Sequence, residues 1–103
     1  MPILSANTEY SATAKFPVKP AGLECETELW LSKDGATKDA SSGIGAFTST
    51  GVEQSISFPV TTPEGGYSYR VFLDVKTAGI TIGAYEATEQ VIIPWVGLPV
   101  IEW

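Results

Sequence analysis

Twelve carboxylates, six basic side chains, one cysteine and no histidine are the chemical resources of this 103-residue chain. Without histidine, the Ser-His-Asp and Cys-His arrangements for nucleophilic catalysis are impossible, as are histidine-containing zinc sites. Cys25 stands alone, so there is neither an intrachain disulfide nor a thiolate cluster. Within an alternating stretch it reads as a small buried apolar residue. Gly43-Ile44-Gly45 lacks the third glycine and the following helix of a nucleotide-binding loop, and nothing points to a Ser-Lys dyad. No catalytic residue, cofactor or metal ligand is therefore assigned, and the chain reads as a non-enzyme.

Three groupings invite a binding role. Lys33-Asp34-Gly35-Ala36-Thr37-Lys38-Asp39 holds two aspartates, but lysines flank them and the spacing of a calcium loop is absent, so it reads as a polar loop. Glu24, Glu26 and Glu28 lie on one face of one strand, about 7 Å apart at ~3.4 Å per residue. Such a ladder either meets a basic partner or forms a solvated face that discourages edge pairing. Trp30 continues that outward face and reads as a contact point. Tyr67, Tyr69, Tyr85 and Trp30 have the residue types of a sugar-binding platform, yet Tyr67 and Tyr69 alternate with polar residues toward the core, which favours packing.

The segment with the clearest message has no such chemistry. Residues 94–103 comprise Trp95, Val96, Leu98, Val100, Ile101 and Trp103 with two prolines, a glycine and a single charged side chain. The prolines and glycine exclude a helix, and Pro99 excludes a central strand. Fixing ten residues costs on the order of 10–20 kcal/mol of backbone entropy. Two buried tryptophans return about 8–12 kcal/mol, and the four aliphatics must supply the rest. Such a tail requires an extensive receiving surface, on its own domain or on a neighbour. Trp95, Val96, Leu98, Val100, Ile101, Trp103 and Trp30 are accordingly the candidate partner-binding residues.

The elements that position these residues are strands. The chain is long enough for one core and one domain. Its 44% hydrophobic and 11% aromatic fractions are those of a folded protein, and its 17% charged residues fall below the usual quarter. A net charge of −6 with scattered basic residues argues against nucleic acid and anionic membrane surfaces. No apolar run reaches the ~20 residues of a membrane span, so no membrane insertion is expected. No basic-then-apolar leader follows Met1, and Met1-Pro2 suggests a native start, which leans toward a virion over an extracellular filament.

Period-two alternation dominates. Tyr10, Ala12, Ala14, Phe16 and Val18 form one face of a first strand; Leu23, Cys25, Thr27, Leu29 and Leu31 form that of a second. Residues 34–43 read as loop, and 44–50 as strand. The 52–60 stretch turns Ile56, Phe58 and Val60 inward, with Pro59 marking a sheet edge. Pro63-Glu64-Gly65-Gly66 is a turn. Strands over 67–76, 80–85 and 88–93 complete about seven, the last two joined through a bulge at Glu86-Ala87. The expectation is an all-β, single antiparallel sandwich over residues 1–93, followed by an extended apolar docking segment over 94–103.

Pro20-Ala21-Gly22, Leu29-Trp30-Leu31, Phe47-Thr48-Ser49-Thr50-Gly51, and Gly66-Tyr67 opening a Tyr-x-Val-x-Leu-x-Val strand together resemble the immunoglobulin-like modules grouped as bacterial CARDB-type and fibronectin-III-like domains. The resemblance spans roughly residues 8–93 and lacks the Cys…Trp…Cys framework of antibody domains. It implies adhesion, spacing or assembly in surface proteins and virions, with no catalytic residues to carry over. Two functions follow as expectations. One is a non-catalytic structural subunit, in a virion or a filament, that joins identical neighbours or a larger protein assembly through its terminal segments, including Ile3 and Leu4. The other is an adhesion or ligand-binding module that uses the Glu24–Trp30 face.

Overall fold

The computed structural model describes residues 2–103; Met1, and with it the reading of the Met1-Pro2 opening as a start, lies outside the described residues. Among the described residues eight strands and no helix follow in order: β1 Glu9–Pro17, β2 Glu24–Ser32, β3 Ala40–Ser41, β4 Gly45–Thr48, β5 Glu53–Thr61, β6 Tyr67–Thr77, β7 Ile80–Glu86 and β8 Val91–Ile93. They make an all-β sandwich of unequal layers. One layer is the antiparallel pair β1-β5; the other is built on β3-β2-β6-β7, with β4 also on β2 and β8 also on β6.

Alternation explains the layering. Along β1 the side chains of Tyr10, Ala12, Ala14 and Phe16 are half-buried while the intervening residues are exposed. Along β2, Cys25, Thr27, Leu29 and Leu31 are buried, and the glutamates face the other way. β5 buries Phe58 and Val60, and β6 buries Tyr69 and Val75. The inward rows meet in a core of Leu29, Leu31, Phe58, Val60, Tyr69 and Ile93. A smaller cluster of Val18, Cys25 and Val75 lies toward one end. Pro59 sits on β5, whose second edge is unpaired, so its missing N–H costs no ladder bond.

Buried polar groups are satisfied locally. The Tyr69 hydroxyl donates to the Glu64 carbonyl at 2.7 Å, and the Thr27 hydroxyl to the Asp74 carbonyl at 2.8 Å. Ser49 Oγ accepts from the Leu23 amide and donates to the Pro20 carbonyl, which ties the 20–23 turn to the end of β4. Among the described residues no buried side-chain nitrogen or oxygen lacks a partner.

Two boundaries differ from the alternation reading. The 34–43 loop contains β3, a two-residue strand held because Trp30↔Ser41 and Leu31↔Ala40 pair across β2. The last two strands are β7 and β8 on one flank of β6, separated at residues 87–90; the Ala87 amide still donates to the Val71 carbonyl at 2.8 Å. So short a strand as β3 has no periodicity to detect.

The core assignment predicts unequal costs on the two faces. Phe58→Ala is expected to lower stability to urea by about 3–5 kcal/mol, whereas Lys15→Ala, on the exposed face of β1, stays within about 0.5 kcal/mol. Equal midpoints for the two variants in urea titrations would mean that β5 does not line the core.

Candidate functional site

The tail starts where β8 ends. Tyr67↔Ile93 pair at the start of β6, and the Gly66 amide donates to the Ile93 carbonyl at 2.6 Å. The backbone of Pro94 and Trp95 then crosses the 63–66 turn so closely that a Cβ on Gly65 would lie 2.5 Å from the Pro94 oxygen. Glycine is required there because no side chain fits, and Gly66, at φ +100°, adopts a conformation that L side chains avoid. Around Trp95 the turn, with Ala6, Asn7, Glu64 and Tyr67, forms an open recess of about 610 Å³.

Beyond this root the tail touches little. Trp95 is 72% exposed and Leu98 98%, and Val96, Val100, Ile101 and Trp103 are exposed as well. Residues 94–103 form no strand. The molecule measures 67 × 23 × 21 Å. The eleven residues of β6 account for about 37 Å of the long axis, and the remaining ~30 Å is the reach of ten extended residues. The tail extends beyond the body with its apolar side chains exposed.

Trp30 lies apart from this segment, on the outer face of the larger sheet. That face is more elaborate than a row of acids. Trp30 is half-buried, stacked on Phe72 at 4.3 Å between ring centres, and its Nε1 donates to Asp74 Oδ2 at 2.9 Å. Lys38 Nζ sits 5.4 Å from the Trp30 ring, and the Arg70 guanidinium 5.2 Å from the Phe72 ring, so two cations flank the aromatic pair. Arg70 grips Glu86 through two hydrogen bonds, at 2.8 and 2.7 Å. Glu28 accepts from Lys38 at 2.6 Å and from Ser41. Partial burial pushes the Glu28 pKa up, but hydrogen bonds from Lys38 and Ser41 and the charges of Lys38 and Lys76 outweigh it, leaving it below its ordinary value. The Arg70 hydrogen bonds likewise hold Glu86 low. Glu24 and Glu26 are exposed.

Phe72 is the member of this face that alternation did not single out. The signal was present: Trp30 and Phe72 are both aromatic residues on the polar side of their strands, as expected of a cross-strand pair. The tyrosines divide. Tyr69 is fully buried, whereas Tyr67 is half-exposed at the strand's first position, with Lys33 Nζ 4.2 Å from its ring centre. Tyr85 is 65% exposed and distant in register from Tyr67, so the four aromatics share no platform.

The 33–39 loop uses its carboxylates internally. Asp34 Oδ1 accepts from the Ser32 hydroxyl and from the amides of Ala36 and Thr37; Asp39 Oδ2 accepts from the Lys33 amide. The backbone bonds from Thr37 and Ala36, then that from Ser32, hold the Asp34 carboxyl well below the usual carboxylate range. Among the described residues no group of three His, Cys, Asp or Glu side chains is placed to hold a metal ion. Among the described residues no helix is long and apolar enough to cross a membrane.

Comparison with known proteins adds no relative: no family model matches the chain, and no match appears among curated proteins or solved structures.

Asp34 gives a pH dependence with a definite sign. Its folded pKa is depressed, so its contribution to stability is present above the unfolded value of about 3.9 and is lost as pH falls toward the lower folded value. Asp34→Asn removes the titration, and its melting temperature is expected to fall less than that of the parent chain between about pH 4 and pH 2. Parallel pH profiles for the two proteins would contradict the loop geometry.

Proposed function

We propose that this protein is a non-catalytic structural subunit that joins its neighbours in a protein assembly through residues 94–103. The observation that supports this is the exposure of six large apolar side chains on one ten-residue segment. They present roughly 800–1,000 Å² of apolar surface, two indoles included. That exceeds the ~300–600 Å² of the largest patch on a typical monomer and equals what one partner contributes to a standard stable interface. Trp95 and Trp103, near the two ends of the segment, are the anchors, since large aromatics supply most of the binding energy of such contacts.

The physics of the segment also favours addition to a strand edge. Prolines at 94 and 99 keep it out of a helix and reduce its freedom before binding, and an extended chain gains backbone hydrogen bonds from an unpaired edge. A virion component or a filament subunit is the concrete form of this reading. The Glu24–Trp30 face is the less favoured site: Glu28 and Trp30 already have partners within the fold.

The test is the mass of the chain in solution over a concentration series, by light scattering after gel filtration. The full chain is expected to form species above 11 kDa. A chain ending at Ile93, or the full chain with Val96→Asp, Leu98→Asp and Val100→Asp, is expected to remain at the monomer mass. Identical masses with and without the tail would exclude the segment as the joint.

A further inference from the structure

A second apolar feature without cover lies at the end of the sandwich opposite the tail. Both edges of the β1-β5 pair are unpaired, and β7 ends its sheet. Where β1 and the turn after it approach β6 and β7, they enclose a groove of about 390 Å³ lined by Phe16, Val18, Leu23, Val75, Ile82 and Tyr85, with Lys19 at its margin. Its wall is an edge strand of a kind that folded proteins usually protect. From Ile80 to Tyr85, β7 has no charged residue; Ile80 and Ile82 are exposed, and the exposed Tyr85 ring lies over Gly83.

We propose that this groove receives residues 94–103 of a second copy of the chain, added as a strand beside β7 and under the free edge of β1. The inference rests on the tail being the joint, and it specifies where the joint closes. Three observations favour a second copy as the occupant. The tail leaves from Ile93, level with Tyr67, whereas the groove lies level with Val75 and Gly83, eight residues or about 27 Å farther along β6. The lane beside β8, which a tail turning back would have to follow, is already taken: Ile3 bridges Ile92, the Leu4 amide donates to the Ile92 carbonyl, and the Ile92 amide donates to the Pro2 carbonyl. The exposed apolar area of the tail is also what one side of a stable interface needs.

Period two in the tail suits the site. Val96, Leu98 and Val100 point one way, the branched aliphatic row that packs on a half-buried pleated surface. On such a strand Trp95, Pro99, Ile101 and Trp103 fall on the other face, where the two indoles anchor against the outer side of the same edge. The amides of Val96, Leu98, Val100 and Glu102 lie on the lateral side opposite Pro99, so all are free to pair with an edge. Glu102 brings the one charge of the segment, and Lys19 offers the opposite one. Because donor and acceptor lie at opposite ends of the sandwich, the contact is heterologous, and each added copy presents a new groove; the product is a linear head-to-tail array or a closed ring.

Directed disulfide trapping tests this with the full chain. Cys25 is buried and stays silent. A tagged Leu98→Cys chain is mixed with an untagged Ile82→Cys chain and oxidised mildly, and a mixed dimer is expected at twice the monomer mass. The same tagged chain mixed with a Ser55→Cys chain, which probes the free edge of β5, is expected to give none. If the parent chain assembles and loses its assembly on tail deletion, yet trapping occurs only at position 55 or at neither position, the groove is overturned and the tail reading survives. If the parent chain stays at 11 kDa at every concentration, both fall.

Discussion

Everything in this fold depends on the antiparallel ladder between β2 and β6. Eight consecutive pairs, from Cys25↔Thr77 to Ser32↔Arg70, fix which side chains of each strand face the core. A shift of β2 by one residue would turn Leu29 and Leu31 to solvent and bury the glutamates, so the register is held by burial rather than by any single bond. The ladder is also bridged through Asp74, whose carbonyl accepts from Thr27 and whose carboxylate accepts from Trp30. At eleven residues β6 is longer than any other strand, which lets one flank support β8 at its start and β7 at its end.

That division gives the sandwich two unlike ends. At the β8 end, the 63–66 turn, the N-terminal segment and the first residues of the tail converge, and backbone approach is so tight that only glycine serves at position 65. At the β7 end, the smaller layer is only two strands wide and does not cover the larger one, leaving aliphatic and aromatic side chains along an unpaired edge. A two-stranded layer buries less than its opposite face offers. Part of the apolar surface left over, Ile80, Ile82 and Tyr85, lies along that flank.

The outer sheet face has the opposite character. Its cations, acids and aromatic rings are matched to one another: Lys38 to Glu28 and Trp30, Arg70 to Glu86 and Phe72. These pairs are largely exposed and contribute little stability individually. Their effect is to pair these side chains within the fold, while Glu24 and Glu26 stay exposed. The low charge content of the chain is therefore unevenly distributed, with the tail and the β7 edge nearly bare of charge.

Local pattern sufficed wherever one face of a strand is buried and the other wet. Alternation in 10–18, 23–31, 52–60 and 67–76 identified the four long strands and placed Cys25, Phe58, Val60 and Tyr69 inward, because burial imposes a period of two that sequence records directly. The composition of residues 94–103 likewise marked them as apolar and without regular structure, and they form no strand. Alternation could not place Phe72 over Trp30, pair the two residues of β3, or expose Tyr67, since those outcomes depend on which strands become neighbours. The groove beside β7 is the extreme case. None of its residues is unusual by itself; it exists because β1 and β5 pair only with each other, and an unfilled lane between two sheets is a property of topology that no single stretch of chain encodes.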